Sequence, residues 1–256
     1  MTSARGSAPR IAALLLAAAT WGCIASLTRQ AERAVEAAGD PAPLIAELSA
    51  LHDVIDRTKR IFDITLVEGR RRFRGEGAIS YRARPRAMQG DVFGPRSTPV
   101  LRFSLAGDAL TVVEPQDGRV YEGRLGDPRF AELTGEMALV TPEVLGALLG
   151  AYDVRAWVER ADRVAAGTDD DRRTLYIWED GALHALTLRA GRLVEYRQAR
   201  EGTLAYRAEF EEFERVDDRE SPRRVVIRDY ARDRWLVLDV TREHEEVTDA
   251  AFPTLP

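Results

Sequence analysis

The sequence predicts a mainly β protein with helices, of the α+β class, whose strands pair antiparallel. Two long stretches of the chain alternate apolar and polar residues with a period of two, as half-buried strands do. The turns between these strands are too short for the crossovers that parallel strands need. Helical periodicity is found near the start and in the middle of the chain. Because no low-complexity linker divides the strands, one continuous sheet is expected.

The N-terminus has the organisation of a secretory signal peptide. Arg5 and Arg10 precede the apolar run 11–20, and a small residue, Gly22, stands before Cys23. The apolar run is shorter than the roughly 20 residues that a membrane-spanning helix needs. The sequence therefore predicts a signal peptide over residues 1–22.

Cys23 is predicted to carry lipid. It is the only cysteine, so it has no partner for a disulfide, and residues 19–23 resemble a lipoprotein lipobox. Ile24 favours the outer membrane, since an aspartate at this position retains lipoproteins in the inner membrane of enteric-type bacteria. Two alternatives stay open: an ordinary signal peptide, and an uncleaved anchor over residues 11–27 in which Cys23 is incidental.

Residues 23–42 are predicted to be a lipid-anchored tether, and residues 43–256 to be the folded domain. The tether includes a weakly apolar helix over 27–38. A stronger helix is expected from Pro43 to about Thr58, because Pro suits the first helical turn. Its apolar residues recur every three or four positions: Leu44, Leu48, Leu51 and Ile55.

Six strands are predicted between Arg60 and Arg124, and six more between Arg173 and Val240. Between the two series, Thr141-Pro142-Glu143 is a strong helix start, because Thr caps the helix and Pro suits its first position. The segment 154–164 is ambiguous. Residues 168–171 (TDDD) lack the spacing of a calcium loop and are interpreted as a solvated hairpin tip.

Composition limits the classes of partner. The net charge of the chain is −5 and becomes more negative when the two arginines of the signal peptide leave. An acidic chain argues against nucleic acid, whose phosphates require a basic face. Lys59 is the only lysine and asparagine is absent. We interpret the excess of arginine as the codon bias of a GC-rich genome.

The residues that carry catalysis are scattered. His52, His184 and His244 have no zinc-binding spacing, and each is interpreted as structural. The sequence has no G-x-S-x-G elbow and no phosphate-binding glycine loop. A lipidated Cys23 is unavailable as a nucleophile. We therefore predict no catalytic residues, no metal and no cofactor, although a cluster of buried ionisable residues in a cleft would support an envelope enzyme.

The order of elements resembles the LolA/LolB-like family of periplasmic lipoprotein carriers and acceptors. The local matches are Gly75-Glu76-Gly77, Phe93-Gly94-Pro95, residues 141–145 (TPEVL), residues 223–227 (RRVVI) and the closing residues 251–256 (AFPTLP). The resemblance covers residues 43–256. It implies a strongly curved antiparallel sheet that forms an unclosed barrel, lidded by helices.

Alternation and the resemblance together predict the lining of a ligand cavity. Side chains that share one face of their strand, or lie on the central helix, are the candidates: Phe73, Ile79, Tyr81, Leu145, Leu148, Leu149, Leu204, Tyr206 and Phe210. The resemblance implies an acyl chain or lipid as ligand, and an outer-membrane lipoprotein that faces the periplasm. It also implies a non-enzymatic monomer.

The loop Phe93-Gly94-Pro95-Arg96 is the candidate contact with a membrane or partner. In the acceptor branch of the family the corresponding loop presents an apolar residue, whereas here it continues with Arg96 and Ser97. This departure puts the acceptor activity in doubt. It favours the alternative of an envelope interaction protein of the same fold, whose partner is another envelope protein.

Overall fold

The computed structural model describes residues 27–127, 140–217 and 219–244. Within them the chain forms one antiparallel sheet of thirteen strands. The strands are β1 (Arg57–Glu68), β2 (Arg71–Arg82), β3 (Ala87–Phe93), β4 (Pro99–Ala106), β5 (Ala109–Glu114), β6 (Arg119–Arg124), β7 (Arg163–Asp169), β8 (Arg172–Glu179), β9 (Ala182–Arg189), β10 (Arg192–Arg200), β11 (Thr203–Val216), β12 (Arg219–Asp229) and β13 (Arg234–His244). The helices are α1 (27–36), α2 (Ala42–Asp53), α3 (Pro142–Leu149) and α4 (Val154–Arg160).

Two runs of hairpins build the sheet. Within the run β1–β6 and within the run β7–β13, each strand pairs with the next one in the chain. The pairing of β1 with β13 joins the two runs. The strands β6 and β7 are the two edges, and they do not pair with each other within the described residues. The sheet is therefore an unclosed barrel, which confirms the predicted fold class.

Glycines on the inner face allow aromatic rings to pack closely against the sheet. A Cβ atom at Gly90 would lie 2.1 Å from the ring of Phe103, and one at Gly77 would lie 2.7 Å from the ring of Phe62. Any larger residue at these positions would push the aromatic rings away from the sheet. The sequence Gly75-Glu76-Gly77 thus has a packing role.

The inner face is the one that α2, α3 and α4 cover. One apolar cluster contains residues of these three helices and of both strand runs. The predicted start of α3 is confirmed, since the Thr141 side chain accepts a hydrogen bond from the Val144 amide at 3.3 Å and Pro142 is the first helical residue. Gly150 ends this helix with φ of 70°.

Two elements differ from the sequence-based expectation, and one expected turn is confirmed. Helix α2 ends at Asp53 rather than Thr58, because residues from Arg57 onward pair with β2 and those from Lys59 onward also pair with β13. The ambiguous segment 154–164 divides into α4 and the start of β7, which makes thirteen strands instead of about twelve. The hairpin tip predicted at 168–171 is confirmed as the β7–β8 turn.

The segment predicted as a tether is packed from Leu27 onward. Leu27, Ala31 and Ala34 of α1 are almost fully buried, on the outer face of the sheet. They pack on side chains of the second strand run: Ala165, Tyr176, Leu183, Ala185, Ala199 and Leu204. Small residues on α1 allow this close approach, which the weak apolar stripe of the sequence did not suggest. The predicted signal peptide, Cys23 and the tail 251–256 lie outside the described residues.

Candidate ligand-binding interior

The half of the inner face built from β1–β5 and β13 is aliphatic and aromatic. Val144 and Leu148 of α3 lie over it and leave a cavity of ≈ 20 Å³. Asp91 also lines this cavity, and the apolar residues around it are Phe62, Ile64, Ala78, Ile79, Val92, Leu101, Phe103, Val144, Leu148, Leu236 and Leu238. A cavity of this size holds about one water-sized sphere, whereas a benzene-binding cavity has about 150 Å³. The space between α3 and these strands is thus too small for an acyl chain in this structure.

Most of the predicted lining residues lie in this interior, although at different places. Ile79 and Leu148 line the cavity, and Tyr81, Leu145 and Leu149 are buried in the same apolar cluster. Phe73 is half-buried at the rim, beside the β3–β4 loop. The remaining inward pair, Tyr206 and Phe210, lies on β11 away from the cavity.

Leu204 is a correction, because it lies on the outer face. Leu204 pairs with Ala199 and Tyr206 pairs with Gln198, so Ala205 is an extra residue in β11. This β-bulge reverses the alternation, since two residues of one strand then oppose one residue of its neighbour. Leu204 consequently packs in the cluster with α1.

The half of the inner face built from β8–β11 is aromatic and partly polar. The ring of Tyr196 lies 4.5 Å from that of Tyr152, and the ring of Trp157 stacks on His184 at 4.8 Å. Nδ1 of His184 is 2.9 Å from the hydroxyl oxygen of Tyr196. The Tyr206 hydroxyl is buried without a hydrogen-bond partner among the described residues. Of these residues, only Tyr206 was predicted as cavity lining and His184 as structural, although period-two alternation in β10 indicates Tyr196.

Burial governs the titration of these groups. It raises the pKa values of Tyr152, Tyr196 and Tyr206 well above the ordinary tyrosine value, so all three stay neutral. Burial also lowers the pKa of His184 to about 4, because the charged ring is disfavoured, and nearby Arg200 and Arg160 act in the same direction. The cluster therefore carries no charge at neutral pH.

The lowered pKa of His184 predicts a pH dependence of stability. The unfolded chain protonates this histidine below about pH 6.5, whereas the folded chain keeps it neutral down to about pH 4. The free energy of unfolding should therefore fall by at most about 3 kcal/mol as the pH drops through this window. Urea unfolding of the parent and of His184→Gln across the window isolates the effect, because the other groups titrate in both. If the free energies of unfolding of the parent and of His184→Gln changed in parallel with pH, the lowered pKa of His184 would be contradicted.

A buried polar network holds the C-terminal end of α3. Arg60 and the side chain of Glu243 are fully buried, and Arg60 Nε lies 2.9 Å from Glu243 Oε1. Arg60 Nη1 donates a 2.7 Å hydrogen bond to the carbonyl oxygen of Leu148, and Nη2 donates to Ser221. Ser221 donates to Glu243 Oε2 at 2.6 Å, and Arg219 also donates to this carboxylate. We call these side chains the Arg60 network.

The electrostatics of the Arg60 network stabilise the position of α3 against the inner face of the sheet. Burial alone would raise the pKa of Glu243, but the ion pairs with Arg60 and Arg219 lower it below the ordinary value. Burial lowers the pKa of Arg60, an effect that Glu243 opposes, and a guanidinium stays protonated in proteins. A cation at a helix C-terminus is stabilising, because the unpaired carbonyls there carry partial negative charge.

The predicted contact loop lies at the end of the sheet where β3 meets β4. Gly94 and Phe93 are shielded, while Pro95 and Arg96 are exposed. The Gly94 amide donates to the Thr98 carbonyl at 2.8 Å, which closes the loop. Arg96 lies at the outermost point of this β3–β4 loop, with a φ of 61°.

The part of the chain that the structure describes offers no candidate metal site and no candidate membrane-spanning helix. Residues 27–127, 140–217 and 219–244 contain no group of three His, Cys, Asp or Glu side chains placed to hold a metal ion. The helices within these ranges are too short or too polar to cross a membrane.

A strongly curved antiparallel sheet, open between β6 and β7 and covered inside by helices, is the LolA/LolB-like half-barrel fold. Solved structures with this architecture superpose on the chain at low sequence identity. A LolA superfamily protein of Nitrosomonas europaea aligns with 12% identity and a TM-score of 0.60, covering 84% of this chain and 98% of its own.

Two further structures show the same likeness. A DUF1329 family protein of Desulfovibrio piger has 12% identity and a TM-score of 0.61, with 84% of this chain and 98% of its own covered. A domain of Vibrio parahaemolyticus described as an outer membrane lipoprotein-sorting protein has 10% identity, a TM-score of 0.60, and coverage of 81% and 95%. No family profile and no curated protein matches the sequence. At these identities the likeness establishes the fold.

Proposed function

We propose that this protein is a non-enzymatic lipoprotein of the cell envelope that binds an acyl chain or lipid inside the half-barrel. The observation that carries the proposal is an apolar inner face covered by a short helix, α3, whose C-terminal end is held by the Arg60 network. In this proposal the domain of residues 43–256 follows a signal peptide (1–22). Acylated Cys23 anchors a monomer to the periplasmic face of the outer membrane.

Binding requires α3 to move, because the cavity of ≈ 20 Å³ does not hold an alkyl chain. Moving α3 exposes Val144, Leu145 and Leu148 and breaks the hydrogen bond from Arg60 to the Leu148 carbonyl. Water replaces that bond, so its net loss is only about 1 kcal/mol. A chain of about ten methylenes gains about 8 kcal/mol on burial, which offsets the lost packing.

The first test is the identification of bound lipid. Residues 24–256 contain the whole described sheet and both apolar clusters, and are secreted to a bacterial periplasm and examined by native mass spectrometry. We expect acyl-bearing species to copurify, and the purified protein to take up a fluorescent fatty acid. Leu148→Glu should abolish uptake, because it places a carboxylate against the cavity. Leu148→Met keeps the volume and polarity of the site and should retain uptake.

Val54→Glu is the control for the negative charge that Leu148→Glu introduces. Val54 is 55% exposed, just beyond the end of α2 and away from the cavity. We expect this variant to bind lipid as the parent does. Loss of uptake in both glutamate variants, or in neither, would contradict a ligand site under α3.

The second candidate function is that of an envelope interaction protein. The small size of the cavity under α3 favours it, because closely packed side chains there need no ligand. A ligand-free protein that takes up no fatty acid would support this function and contradict the first.

A further inference from the structure

One hairpin of this acidic protein is strongly basic. Arg70, Arg71, Arg72 and Arg74 lie in and beside the β1–β2 turn, and all four are exposed. We call them the arginine tip. Glu68 is the acidic residue of this hairpin that is nearest in sequence to these arginines. Its Oε1 atom lies 2.7 Å from Nε of Arg234 in β13, so this ion pair neutralises its charge.

The same end of the sheet carries further groups of the kind that favour a membrane surface. The β3–β4 loop lies beside the tip, since a Cβ atom at Gly94 would be 3.6 Å from the Phe73 ring, and its Arg96 is exposed. Trp235 is 45% exposed and lies in one row with Val67 and Arg72 across β13, β1 and β2. Trp is enriched where proteins meet the lipid headgroups.

The contacts of α1 favour this same end of the sheet for its first residue, Leu27. Ala34 lies against β7, since a Cβ atom at Gly167 would be 3.2 Å from it. Leu27 is seven residues earlier, about 10 Å along the helix, which places it toward the outer-face row of Leu183, Ala199 and Leu204. This row adjoins the β8–β9 and β10–β11 turns. Both turns are at the end that carries the arginine tip.

We propose that the arginine tip, together with Arg96 and Trp235, docks this end of the half-barrel on an anionic lipid bilayer. The guanidinium groups would bind lipid phosphates, and the indole ring would enter the headgroup layer. A basic surface is needed for this contact, because the chain as a whole is negative and an anionic membrane repels it. Docking goes beyond ligand binding and does not require a ligand in the interior.

The test measures cosedimentation of residues 24–256, without an acyl chain, with vesicles of phosphatidylcholine alone or mixed with phosphatidylglycerol. We expect binding only to the mixed vesicles, and weaker binding as salt is added. The triple variant Arg70→Gln, Arg72→Gln, Arg74→Gln should bind on the order of a hundredfold more weakly, since each arginine at an anionic surface contributes about fivefold. Trp235→Ala should remove the blue shift of tryptophan emission on binding.

The matched control changes three exposed arginines at the opposite end of the sheet: Arg172→Gln, Arg215→Gln and Arg242→Gln. The net charge changes equally, so this variant should bind as the parent does. Equal binding to both vesicle types, or equal losses in the two triple variants, would overturn the proposal. No binding to either vesicle would also overturn it and would assign the arginine tip to a soluble partner. Because the ligand assay uses fatty acid without vesicles, failure here and failure of ligand binding are distinguishable.

Discussion

In an Arg60→Met variant, the free energy of unfolding is expected to fall by about 3 kcal/mol. The substitution leaves the buried carboxylate of Glu243 without its main partner and the Leu148 carbonyl without its donor. Removing one member of a buried ion pair costs about 3–5 kcal/mol, because the other charge stays buried. We expect the lower end of this range, because Arg219 still contacts Glu243. Equilibrium unfolding in urea measures the loss.

The same variant should bind fatty acid faster, because the C-terminal end of α3 is no longer held. Two comparisons separate this effect from general damage. Lys59→Met changes an exposed cation one position earlier in β1 and should leave both quantities unchanged. Arg60→Met combined with Glu243→Gln should recover part of the stability, because no unpaired charge is then buried. A double variant less stable than Arg60→Met would contradict the account of the Arg60 network.

Tyr196→Ala should lower the free energy of unfolding by about 3–5 kcal/mol, the usual cost of removing a buried aromatic ring. Tyr196 is fully buried, and its ring lies within 6 Å of the rings of Tyr152, Trp157 and Tyr206. These contacts fix α4 and the end of the α3–α4 connection on the second strand run. Denaturant unfolding, followed by tryptophan fluorescence, measures the change.

Tyr196→Phe separates the ring from the hydroxyl. It keeps the packing but leaves Nδ1 of His184 without its partner, which costs about 1–3 kcal/mol. Tyr230→Ala removes a tyrosine that is 36% exposed and should change stability by less than about 0.5 kcal/mol. If Tyr196→Ala and Tyr230→Ala were equally mild, the aromatic cluster would not support the helices.

Local signals in the sequence were sufficient to predict most of the helices and strands. Thr141 and Pro142 specify the start of α3 through a side-chain cap and a fixed φ, which depend only on neighbouring residues. The alternation in β2 assigns Ile79 and Tyr81 to the inner face for the same reason. The short turns then leave antiparallel pairing as the solution for both runs.

Non-local contacts limited the prediction of the site. Alternation assigned Leu204 to the face of Tyr206, but the bulge that separates them depends on the pairing with β10. Arg60 occupies an inward position that the pattern expects to be apolar. Its partner Glu243 is 183 positions away, so no local window contains both. Burial of α1 likewise depends on the outer surface of strands that occur later in the chain.

The seam between β1 and β13 imposes an order on the assembly of this chain. The first six strands form from neighbouring hairpins, but β1 gains its second partner only when the last described strand is present. Because contacts of such long sequence separation form slowly, β1 stays an open edge while the rest of the chain emerges. An unpaired edge is a template for aggregation. If this chain crosses a membrane N-terminus first, the unpaired edge of β1 must therefore be protected from aggregation until β13 has also crossed and can pair with it.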